Sequence, residues 1–175
     1  AAVTDRALGT LGSGNAAAGS FFHGVALHNG TGATITSLDV AYSGEEWRSG
    51  GATSGPQTIA FSYLVGTPTV TGSLAEFQTA GVPVTSLDFT SPINNATAGA
   101  LDGNVAANRA TKTFTITGLS IPDGTDLMLR WADPDHSGTD HGLAIDDFSV
   151  TPHGTSPLPA PPIADLTHHD GTAGT

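Results

Sequence analysis

Residues 130–150 read RWADPDHSGTDHGLAIDDFSV, and this stretch decides the fold. It divides into strand, acidic loop and strand. Upstream, Leu127, Leu129 and Trp131 alternate with Met128 and Arg130, the period of a β-strand. Asp133, Asp135, Ser137 and Gly138 follow. Oxygen side chains at steps of two, with Gly at the sixth position, suit a loop that wraps a calcium ion. The chain then returns through Leu143, Ala144 and Ile145 to Asp146, Asp147 and Phe148.

The same alternation recurs elsewhere in the chain. Phe21, His23, Val25 and Leu27 share one face of a strand over 20–28, closed by the Asn29-Gly30 turn. Leu38, Val40 and Tyr42 alternate in a strand over 35–42, and the pattern breaks at GEEWRSGGATSGP (44–56). Residues 57–65 form the clearest strand, with Ile59, Phe61, Tyr63 and Val65 in register. Short strands are predicted at 6–8 and 84–89, and a clean one at 111–119 with Phe114 and Ile116 facing in. Residues 66–83 are irregular, anchored by Leu74 and Phe77. Residues 91–110 are a long loop with Leu101 turned inward. The count reaches about seven or eight strands with no helical period. That predicts an antiparallel β-sandwich, jelly-roll-like. The sandwich is expected over 1–151. A Pro-rich linker (PHGTSPLPAPP, 152–162) and a polar tail to 175 should follow it.

Composition agrees. Charged residues are 12%, against roughly 25% in an average globular protein. The polar surface must be built from Thr, Ser, Asn and Gly, and 23 Gly with 11 Pro suit a turn-rich β protein. Net charge is −11, and the five basic residues form no cluster in the sequence. Nucleic acid and anionic membrane therefore lack their basic footprint. No cysteine is present, which excludes disulfides, thiol catalysis and zinc–thiolate sites. No apolar run reaches the roughly 18 residues of a membrane span. The start at Ala1-Ala2 fits a mature exported protein.

Four segments together, YSGEEWRSGG (42–51), LDFTSP (87–92), GALDGNVAANR (99–109) and WADPDHSGTDHGLAIDDFSV (131–150), resemble a bacterial exported β-sandwich module. Such modules recur in multidomain secreted proteins beside hydrolase domains or surface-sorting tails. The closing IDDFSV strand is similar to the last strand of carbohydrate-binding jelly rolls and laminin-G-like sandwiches. The resemblance implies the fold and, near that strand, an Asp that helps hold a structural calcium. It implies no catalytic residue.

Candidate sites follow from residue chemistry. Asp133, Asp135, Ser137 and Asp140, with Asp146 and Asp147 returning nearby, would repel unless protonated or neutralised. Hard oxygen ligands favour calcium. His136 and His141 flank this loop and read as surface histidines, and His168-His169 lies in the polar tail. Glu45 and Glu46 are adjacent on a strand, so they face opposite ways and make a poor acid/base pair. Trp47 would stack on a sugar ring with Arg48 or Glu46 binding hydroxyls. Alternatively, Trp47 fills the core and Arg48 pairs with a buried carboxylate. Trp131 belongs to the core stripe. No GxSxG, HExxH or phosphate-loop pattern occurs, so no enzyme is expected.

Two functions remain. One is a secreted structural protein of the bacterial surface or matrix, self-assembling into filaments through its tail and stabilised by calcium. The other is a carbohydrate-binding accessory module of an exported protein.

Overall fold

A computed structural model describes residues 5–12, 19–66, 75, 78, 79, 81–94 and 97–155. Among the described residues ten strands run in chain order: β1 (Leu8–Leu11), β2 (Phe21–His28), β3 (Ile35–Ser49), β4 (Thr58–Val65), β5 (Val82–Pro83), β6 (Phe89–Thr90), β7 (Gly99–Ala100), β8 (Arg109–Ile116), β9 (Asp126–Asp133) and β10 (Gly142–Gly154).

Every pairing between these strands is antiparallel, in two sheets. One sheet has the order β1-β10-β3, with β7 and β8 both on the far side of β3. The other has β2-β9-β4, with β5 and β6 both on β4. The first strand pairs with the last, and successive long strands alternate between sheets. That winding is a jelly roll. The inner faces meet around Trp131, whose ring packs edge-on against Tyr42, Phe61 and Phe148 with centroids 5.5, 5.1 and 5.3 Å away. Leu38, Val40, Ile59, Leu129 and Leu143 complete a dry layer.

Four expectations require correction. Phe114 does not face in: it is 42% exposed on β8, and only Ile116 of that pair is buried. The chain does not break at residue 44, because β3 continues to Ser49. Gly44 permits this: a Cβ there would lie 2.2 Å from Phe89 Cγ, so the ring occupies the place of a side chain. Residues 84–89 are not one strand. A 3-10 turn over Thr85–Leu87 buries Leu87, and Asp88 then accepts the Phe61 N–H at 2.7 Å on β4. The last strand runs to Gly154, with Pro152 opposite Leu38, so it enters the segment read as a linker. Leu74, Phe77 and residues 156–175, which carry the tail and His168-His169, lie outside the described residues. Among the described residues no helix is long and apolar enough to cross a membrane.

Candidate functional site

Strand alternation alone would put Trp47 and Arg48 on opposite faces of β3. A β-bulge changes this. Arg48 is opposite Gly142 and Glu46 is opposite Leu143, so β3 uses two residues where β10 uses one. Bulges re-aim side chains in this way. Trp47 and Arg48 consequently both line one groove of about 640 Å³ on the outer side of the β1-β10-β3 sheet. Asp5 and Arg6, from the segment leading into β1, line the same groove, and Leu11 and Ala144 add apolar lining.

Trp47 is half-buried. Its indole N–H donates to Glu45 Oε2 at 3.0 Å. Gly103 lies against the ring, where a Cβ would fall 2.4 Å from Cε2. The indole is therefore held in place from two sides. Glu45 itself is almost fully buried, and its Oε1 has no hydrogen-bond partner among the described residues. Burial pushes its carboxyl above the usual carboxylate range. The Trp47 N–H opposes that shift, Asp146 and Asp5 add to it, and Arg109 pulls it back. The reading of Trp47 as core filler does not hold. Arg48 forms no salt bridge among the described residues.

Glu46 is not in the groove. It points into the sandwich and is wholly buried, with Oε1 2.7 Å from His141 Nδ1 and Oε2 accepting the Ile93 N–H at 2.8 Å. His141 is not a surface histidine. Its Nε2 lies 3.1 Å from the Gly55 carbonyl, and its backbone N–H donates to Gln57 Oε1 at 2.7 Å. His136 is partly buried, and its Nε2 accepts the Thr58 N–H at 3.4 Å. Together these bonds tie the acidic loop to the 50–57 loop.

The six oxygen-bearing residues read as a calcium site do not form one cluster. Asp133 closes β9 and accepts the Thr10 hydroxyl at 2.5 Å. Burial raises its carboxyl above the usual range; Thr10 and His136 counter this, and Asp140 and Asp135 add to it. Asp135 and Asp140 each keep one buried oxygen without a hydrogen-bond partner among the described residues. Ser137 is exposed on the same loop. Asp146 and Asp147 lie on β10 instead, opposite Ser43 at a second bulge. Asp147 sits there at φ 51° and accepts the Ser43 hydroxyl at 3.1 Å, while its own N–H donates to Asp146 Oδ1 at 2.8 Å. Among the described residues no group of three or more His, Asp or Glu side chains converges to hold a metal ion.

Arg6, which lines the groove, and Glu45, which holds the Trp47 indole beside it, are not singled out by the sequence. Arg6 lies far from Trp47 in the chain and joins it only through the pairing of β1 with β10. Glu45 could have been found from the i, i+2 spacing with Trp47, which puts both on one face of a strand. No protein-family model, no curated protein and no solved structure matches this chain.

Proposed function

We propose that this protein is a non-enzymatic carbohydrate-binding module of an exported protein, and that the groove beside Trp47 receives the sugar. One observation carries the reading: a bulge turns an aromatic and a guanidinium side chain out of the sheet into the same groove. Aromatic walls with a few oriented polar groups are what sugar rings require, because a ring has apolar faces and a polar rim. Glu45 and Gly103 preset the indole, which reduces the ordering cost of binding. Screening the protein against immobilised polysaccharides tests this. Trp47→Ala should abolish retention in a protein that still folds, at a melting temperature lowered by loss of the Glu45 bond and of the packing on Gly103. Gly103→Ala, which pushes on the ring, should weaken retention. Retention that survives both substitutions overturns the reading.

A second reading, a self-assembling subunit of the bacterial surface, draws on a different feature. Strand β1 pairs only with β10 among the described residues, and Leu8 and Leu11 on it are 59% and 51% exposed. An open strand edge with apolar side chains is a template for pairing with another chain. Light scattering at high protein concentration separates the two readings, because Leu8→Lys should dissolve any assembly and leave glycan retention intact.

A further inference from the structure

The charge in the groove runs against the charge of the chain. The protein carries a net −11 and only five basic residues. Two of them, Arg6 and Arg48, line this one groove. Neither forms a salt bridge among the described residues. Arg130, by contrast, is engaged: it donates to Ser62 and to the Thr79 carbonyl and lies over the Phe22 ring. Asp5 is the one carboxylate among the groove-lining residues, so two guanidinium groups outnumber it. Two guanidinium groups lining one groove with a single carboxylate leave it locally positive on an acidic protein. An anionic ligand complements that charge, and guanidinium groups bind carboxylates in two-pronged geometry.

We infer that the groove takes an acidic polysaccharide, one whose sugar ring stacks on Trp47 while its carboxylate is held by Arg6 and Arg48. This inference rests on the carbohydrate-binding reading and specifies its ligand class. A neutral glycan offers the arginines only hydroxyl acceptors, which neutralise no charge, whereas a carboxylate gives charge-assisted bonds. Uronate chains and sulfated chains share the required negative charge, and the carboxylate matches a guanidinium fork more closely.

The experiment is affinity electrophoresis and calorimetry of the full chain with polygalacturonate, dextran sulfate and neutral dextran. Polygalacturonate should bind, dextran sulfate should bind more weakly, and dextran should not bind. Added salt should weaken the binding, as expected for exposed charge pairs. Arg48→Gln and Arg6→Gln should each reduce affinity about tenfold, the loss expected when one charge-assisted contact is removed. Lys112→Gln changes the net charge by the same amount on β8, outside the groove, and should change nothing. Arg6 lies outside the strands, so its substitution tests the idea even where Arg48→Gln disturbs the bulge. Equal binding of dextran, unaffected by either arginine, overturns the acidic ligand and leaves the carbohydrate reading standing. Sulfate binding stronger than uronate binding overturns the choice of carboxylate. Binding lost equally in Lys112→Gln shows only bulk charge and overturns the groove. Failure of all three polymers to bind overturns both readings.

Discussion

Glu46 Oε1 lies 2.7 Å from His141 Nδ1, and neither side chain is exposed to solvent. The two residues come from β3 and from the turn into β10, the most extensively paired strands of the sandwich. Through Ile93, Gly55 and Gln57 the same pair ties the 50–57 loop and the loop around Ile93 to the acidic loop.

Breaking this pair from one side should be costly. Glu46→Ala leaves His141 Nδ1 and the Ile93 N–H without their carboxylate acceptor in a dry site. The expected loss is about 1–3 kcal/mol for each buried group left unsatisfied. His141→Ala should cost a similar amount. The double variant should cost less than the two single losses together, because neither partner is then left behind. Denaturant midpoints of the four proteins give the coupling energy, and additive losses would refute the pair.

Asp133 makes stability depend on pH. Its carboxyl is raised from 3.8 in the folded state, mainly by burial. Between the unfolded and folded values the native protein keeps a proton that the unfolded chain has lost. The stabilisation is complete below 3.8 and disappears as pH rises through the folded value. Asp133→Asn keeps an oxygen for Thr10 and removes the titration. It should flatten the dependence of melting temperature on pH above 4, and it should raise the melting temperature by roughly 2–4 °C at neutral pH, about 1 kcal/mol. Chelator and calcium arms belong in the same measurement. A melting temperature that falls with chelator, and that Asp133→Asn reproduces, would mean a cation and not a proton relieves this loop.

The sandwich was legible because its strands announce themselves by alternation. Phe61 and Tyr42 fall on inward positions that the pattern alone assigns. What escaped was set by single contacts between distant segments. Gly44 looked like a break because nothing local shows that Phe89 fills its missing side chain. His141 looked like a surface residue because its partner Glu46 is remote in sequence. Of the groove, Trp47 and Arg48 can be read as a pair, but the bulge that gives them one face cannot. Trp47 and Arg48 share a face only because β10 is one residue short opposite them, and register between strands is a tertiary property. The acidic run was visible, but sequence proximity overstated its convergence. Asp146 and Asp147 are drawn off by the second bulge.

That second bulge gives the last prediction. Asp147 is the only described residue other than glycine with positive φ, at 51°. Side chains with a Cβ resist this conformation, and Asp and Asn tolerate it best because a short polar group can bond locally. Here the group bonds Ser43 on the neighbouring strand. Asp147→Asn should therefore be nearly neutral, since it keeps the conformation and the acceptor. Asp147→Gly should lose about 1 kcal/mol, the worth of one hydrogen bond, while easing the backbone. Asp147→Val should lose the bond and add about 1–2 kcal/mol of backbone strain, so it should be the most damaging of the three. A calcium ligand would produce a different order, with Asn and Val both damaging and the damage present only when calcium is supplied. Thermal melts of the three variants with calcium and with chelator distinguish the two orders. The ranking Val below Gly below Asn, unchanged by calcium, assigns Asp147 to the bulge.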